Sequence, residues 1–217
     1  MYKTLEEKIK ACRKCHLRDT CLRVVPGEGD INADIMFIGE GPGENEDKQG
    51  RPFVGAAGKF LEEMLSMIGK KREEVFITNV LKCRPPGNRD PLPEEVEACW
   101  PWLLEQIKII KPKLIVLLGR YAMERFLPNQ KISRIHGTAV RREIPEVGKQ
   151  AFYVLYHPAA ALYQGSLREI LINDFKKIPK VVAAIEKSNQ EYPGKAEEQK
   201  TSQEKIKPEE NKQSTLF

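Results

Sequence analysis

The chain has no run of about 18 apolar residues, so no membrane-spanning helix is expected. Its opening residues, Met1 to Glu7, lack the apolar core of a secretory signal, and a reducing cytoplasm is the expected location. In that compartment five cysteines are poor disulfide candidates, which excludes a secreted disulfide scaffold. There is no internal repeat and no collagen-like or coiled-coil period. A Walker-type phosphate loop is also missing, which excludes an NTPase of that class. Hydrophobic residues make up 41% of the 217 and charged residues 31%, slightly apolar-poor and charge-rich for a globular chain. Part of the shortfall lies in residues 187–217, which hold six Lys and six Glu among Gln, Ser, Thr and Pro. Such a segment buries too little apolar surface to offset its ordering entropy, and a disordered tail is expected. Residues 1–186 remain as one domain of ordinary size. The charges of the tail cancel, so the net +5 falls on that domain and suggests a polyanionic partner.

What is present is a repeated grammar. Four short apolar runs each stop at a distinctive residue: Ile35–Ile38 at Gly39, Val75–Thr78 at Asn79, Leu114–Leu118 at Gly119, and Phe152–Tyr156 at His157-Pro158. Unbroken apolar runs of this length fit strands buried on both faces, as in a parallel sheet. Helical spacing fills the gaps: residues 3–11, a segment around Phe60 to Ile68 that Gly69 stops, Pro93 to Ile109, 120–127, and 167–186 with a break near Pro179. Residues 16–33 read as loop. The alternation predicts an α/β three-layer sandwich with a central, mostly parallel four-stranded sheet flanked by helices. Ligands of such sheets bind beyond the carboxyl ends of the strands, where Gly39–Asp47, Asn79, Gly119-Arg120 and His157 converge.

Two residues lie between Cys12 and Cys15, and fifteen between Cys83 and Cys99. The short turn brings two thiolates to one centre, and four such ligands suit zinc or a cubane iron–sulfur cluster. The bland alternative is a set of small buried hydrophobes, and for Cys21 a free thiol is the expected reading. Gly39-Glu40-Gly41-Pro42-Gly43-Glu44 follows a strand but is no dinucleotide loop. Its sixth position is Glu44, and acids at 44, 46 and 47 would repel a pyrophosphate. Glycines there let main-chain amides approach a ligand closely. Phe53 is either a loop anchor or a platform for a flat ring.

Taken in order, Cys12-x-x-Cys15, Val25-Pro26-Gly27-Glu28-Gly29, Gly39 to Asp47, Gly50-Arg51-Pro52-Phe53-Val54-Gly55, Asn79 to Pro86, Cys99 and His157-Pro158-Ala159-Ala160 resemble the family 4 uracil-DNA glycosylases. The likeness covers about residues 5–180. It implies a 4Fe-4S cluster on Cys12, Cys15, Cys83 and Cys99 with a structural role, and an enzyme that cuts the N-glycosidic bond of deoxyuridine. Its substrate would be uracil-containing DNA, met by a monomer at a prokaryotic nucleoid.

In that reaction negative charge grows on the leaving uracil and positive charge on the sugar, after the base has left the stack. Phe53 can stack on the ring. The Asn79 amide can donate to O4 and accept from N3–H, and His157 can donate to O2 as an oxyanion-type group. The resemblance assigns the same three positions to uracil. Glu40 is the favoured group for positioning water or stabilising the sugar charge, ahead of Glu46 and Asp47. Glu46 is read as the wall that excludes the thymine methyl, with Gly41 beside it. A plain Asn cap and a structural His are the competing readings.

His136 is read as a loop or DNA-facing residue. Arg84, Arg89, Arg120, Arg134, Arg141 and Arg142 are basic candidates for DNA near the strand-end face. The family often carries a duplex-wedging Leu after the His-Pro segment, where this chain has Ala161 and then Leu162. Gln213, Leu216 and Phe217 resemble the start of a sliding-clamp peptide. The competing class is a non-enzymatic iron–sulfur redox or DNA-binding protein, which explains the cysteines but neither Asn79, His157 nor the acidic glycine loop.

Overall fold

The computed structural model describes residues 1–191. Six strands form one sheet: β1 (Glu28–Gly29), β2 (Ile35–Gly39), β3 (Phe76–Asn79), β4 (Leu114–Leu118), β5 (Ala139–Ile144) and β6 (Gly148–Leu155). The order is β1-β3-β2-β4-β6-β5, with the four inner strands parallel and both edges antiparallel. The expected parallel core is therefore present, and each edge adds a strand that has no apolar run to announce it. β1 has two residues, and five of the six positions in β5 are exposed or half-exposed. An edge strand facing water needs no continuous hydrophobic stretch.

Ten α-helices are described: α1 (Tyr2–Lys10), α2 (Leu17–Thr20), α3 (Glu44–Gln49), α4 (Ala56–Met67), α5 (Pro93–Ile110), α6 (Arg120–Phe126), α7 (Ile132–Ile135), α8 (Pro158–Tyr163), α9 (Gly165–Phe175) and α10 (Ile178–Glu191). Pro93 opens α5 with Glu94 and Glu95 in its first turn, which suits the positive end of the helix dipole. Two segments expected as loop hold short helices, α2 within residues 16–33 and α3 within the glycine loop. The acids of α3 that argued against a phosphate site stabilise its amino end: Glu46 Oε2 accepts from the Gly43 N–H at 3.1 Å. The expected helix over 167–186 is split into α9 and α10 ahead of Pro179.

Successive residues of an inner strand point to opposite faces. Met36, Ile38, Ile115, Leu117, Phe152 and Val154 join Leu103, Ile107, Ala122, Met123 and Phe126 from α5 and α6 in one core. On the other face Phe37 stacks on Phe175 of α9 at 5.6 Å between ring centres. A third, smaller core joins Leu5 and Ile9 of α1 to Leu17, Val24, Leu81 and three buried cysteines. The compact unit runs from Met1 to Val182. Of residues 183–217, those described continue α10, which passes four residues beyond the expected start of the tail. The proposed clamp residues Gln213, Leu216 and Phe217 lie outside the described residues.

Candidate active site

Strand register builds the site. Gly39 pairs with Asn79 across β2 and β3, and Leu118 with Leu155 across β4 and β6, so the carboxyl ends align and His157 follows at the same edge. Beyond them lies a cleft of about 280 Å3 lined by Glu40, Gly41, Glu46, Phe53, Asn79 and His157 among others. All six residues expected to meet substrate or do chemistry therefore surround one space.

Asn79 is 2% exposed, and its Oδ1 has no hydrogen-bond partner among the described residues. A buried polar atom left unpaired costs free energy unless something else satisfies it. This amide is not a turn cap. A Cβ on Gly39 would lie 2.4 Å from Asn79 Oδ1 and 2.6 Å from Phe53 Cζ, so only glycine lets amide and ring meet here.

His157 receives the Ala159 N–H on Nδ1 at 3.1 Å. Burial pushes its pKa down to about 4, against the pull of the Glu46 charge. At neutral pH the ring is thus uncharged, with its one proton on Nε2. That is a neutral donor at the rim of the cleft, stacked at 5.6 Å on Phe53. A neutral ring can hold a developing anion without itself being consumed as an acid.

Glu40 is half-buried, and its pKa is pushed up to about 7 by burial and by the Asp90 charge, with Arg120 opposing. A carboxyl that titrates near neutrality is matched to taking a proton from water. Glu46 is fully engaged. Its carboxylate accepts from Gly43, from Val54 at 2.8 Å and from Gly55 at 2.9 Å, and so ties the glycine loop to the segment carrying Phe53. Asp47 points elsewhere. It is buried and accepts from the Leu22 and Arg23 N–H groups, which removes it from water activation.

The basic candidates divide. Arg89 lines the cleft and pairs with the buried Glu95, Arg84 donates to Asn88, and Arg120 approaches Asp90 and Tyr121. Arg134 is exposed on α7. Arg141 and Arg142 do not belong to this face: they pair with Ala151 and Gln150, toward the amino end of β6. His136 follows α7 in the turn that leads toward β5, and its Nδ1 sits 2.7 Å from Asp174 Oδ2. Past His157, Ala161 is buried while Leu162 and Tyr163 are exposed. Asp90, which tunes Glu40, went unnoticed in the sequence; nothing in the local pattern around it marks an electrostatic role.

The cysteines gather at the third core. Cys15, Cys21, Cys83 and Cys99 belong to one packed cluster, and the Trp102 Nε1–H points at Cys12 Sγ at 3.1 Å. No disulfide is formed, and Cys21 is buried within the same group. Burial raises the Cys83 thiol and pushes Cys99 up to about 11, and the Cys99 thiol feels the charges of both Cys15 and Cys12. Thiols held neutral in this way need a cationic group to become thiolates. No three ligand side chains among the described residues converge on a single metal ion. Clustered thiols are the donor type that both zinc and an iron–sulfur cluster take. Next door, the buried Lys82 ammonium donates to Thr78 Oγ1, the Asn79 carbonyl and Gln106 Oε1, each at 2.7 Å, and joins this region to the cleft.

A family model described as "Uracil DNA glycosylase superfamily" matches residues 26–184. The chain is 52% identical over 178 residues to a "Type-4 uracil-DNA glycosylase" of Archaeoglobus fulgidus, a match spanning 79% of this chain and 88% of that protein. Proteins of the same description from Sulfurisphaera tokodaii and Thermotoga maritima are 49% and 46% identical, over 80% of this chain and 81% and 90% of theirs.

Proposed function

The chain belongs to the uracil DNA glycosylase superfamily, and on that premise we propose how its cleft works. The enzyme hydrolyses the N-glycosidic bond of deoxyuridine in DNA, releases uracil and leaves an abasic site for base excision repair. The observation that carries the site assignment is the unpaired Asn79 Oδ1, buried beside Phe53 and a neutral His157. Uracil offers a donor at N3 and an acceptor at O4, which one amide satisfies together. Phe53 stacks on the flipped base and His157 Nε2–H meets O2 as charge arrives there. Glu46 holds the loop against the ring edge where thymine carries its methyl, with Gly41 alongside.

Glu40 in its ionised form orients water toward C1′ and opposes the positive charge on the sugar. An oxocarbenium-like ion reacts readily, so positioning matters more than full proton abstraction. Arg84, Arg89, Arg120 and Arg134 are assigned to the DNA backbone. Cys12, Cys15, Cys83 and Cys99 would hold a 4Fe-4S cluster, which would link the segments after α1 and after β3 to α5 without a redox step. Residues 1–186 act as one domain and one monomer at the nucleoid, with Gln213, Leu216 and Phe217 as a clamp-binding end.

The test is incubation with otherwise identical strands carrying uracil, thymine or cytosine, followed by alkaline cleavage at abasic sites. Uracil-specific breaks are expected, and their absence would leave the reading as a non-enzymatic iron–sulfur redox or DNA-binding protein standing. Iron and acid-labile sulfide analysis checks the cluster: a colourless protein holding zinc would overturn it.

A further inference from the structure

Phe53 sits in a backbone conformation that its side chain does not favour. Its φ is +52°, in the left-handed region that non-glycine residues rarely occupy, so the surroundings must impose it. Those surroundings are specific. Arg72, 8% exposed, donates Nη1 to the Phe53 carbonyl at 2.9 Å and Nη2 to the Pro52 carbonyl. Its Nε–H is taken by Glu28, which Arg51 also holds, at 2.7 Å from Nε. The N–H groups of Val54 and Gly55, just past Phe53, are held by Glu46. Gly58 leaves room for the turned peptide, since a Cβ there would fall 1.8 Å from the Phe53 carbonyl oxygen. A buried cation thus grips the two carbonyls at Phe53 while an anion grips the amides after it.

We propose that Arg72, anchored by Glu28, is a positioning residue that fixes the left-handed Phe53 and so presents its ring to the base. It touches no substrate. A planar fork with two donors on consecutive carbonyls and a third on a carboxylate suits this task, which an ammonium cannot reproduce. The inference rests on Phe53 being the stacking platform, and the experiment separates the two.

Free uracil serves as the probe, as a competitive inhibitor of single-turnover cleavage. Duplex carrying an abasic-site analogue reports DNA grip independently. Phe53→Ala is expected to raise the inhibition constant of uracil about tenfold, the range of one base–aromatic stack. Arg72→Gln should raise it comparably while leaving abasic-duplex affinity within about twofold. Arg72→Lys should recover only part of the loss, and Phe53→Ala/Arg72→Gln should be no worse than Phe53→Ala, because both remove the same contact.

If Phe53→Ala leaves uracil inhibition unchanged, the stacking reading fails. If it raises the constant while Arg72→Gln does not, or if the two losses add, the positioning role is overturned. Should Arg72→Gln fail to fold, Glu28→Gln and Arg72→Lys decide the matter: native inhibition by uracil in both would overturn it.

Discussion

Glu40 offers the most direct test of the chemistry, because two neighbours push its pKa in opposite directions. Burial and Asp90 lift it to about 7, and Arg120 pulls it down. His157 stays neutral down to about 4, so between about pH 5 and pH 8 only Glu40 changes charge among the groups placed at the reacting bond. If the ionised form acts, the single-turnover rate follows the ionised fraction. That fraction rises about thirtyfold from about pH 5.5 to about pH 8, with a plateau above. Replacing Glu40 with Gln should flatten the profile and lower the plateau by about a hundredfold, the low end for a positioned base.

The sign test lies in the neighbours. Asp90→Asn removes a charge that disfavours the carboxylate, so the midpoint must move to lower pH; Arg120→Gln removes one that favours it, so the midpoint must move up. General damage to the cleft would not shift the two variants in opposite directions. The assay is rapid-quench cleavage of a uracil-containing strand with enzyme saturating, so that loss of DNA affinity does not enter. A wild-type rate independent of pH across this range, or midpoints that move together, would refute the role given to Glu40.

Three further outcomes follow from the geometry. Asn79→Asp places a carboxylate against O4 and should cost uracil cleavage at least about 2–4 kcal/mol. A slight cytosine activity that grows as pH falls is expected with it, and undiminished uracil cleavage would remove Asn79 from the pocket. His157→Ala should lower the single-turnover rate by about 3–4 kcal/mol of barrier while DNA affinity changes little, since its donor matters chiefly as charge reaches O2; equal losses in both measurements would count against that. Gly39→Ala forces a Cβ into contact with Asn79 and Phe53, so uracil inhibition should be lost while the fold, read by thermal unfolding, is kept. Native inhibition by uracil in this variant would show that the two side chains do not meet at the base.

What the chain announces in its sequence is whatever breaks a local pattern. The four inner strands are legible because burial on both faces demands unbroken apolar runs. Asn79 and His157 stand out because each ends such a run with a polar group. The edges stay hidden for the converse reason: Arg141, Arg142 and Glu143 in β5 face water and look like any solvated segment. α3 was masked by glycines and acids, which suggested a loop although Glu44, Glu46 and Asp47 favour a helix start.

The support of the site was less legible still. Glu28 and Arg72 are 44 residues apart and meet because β1 lies antiparallel to β3, pairing Glu28 with Ile77. No spacing rule contains that register, and a two-residue strand carries no signal of its own. Residues that touch a ligand are selected for their own chemistry and can be recognised by it. Those that hold them in place are ordinary charged side chains whose meaning comes from topology alone. A buried arginine that ends on two carbonyls beside a positive φ is therefore identified only once the chain is folded.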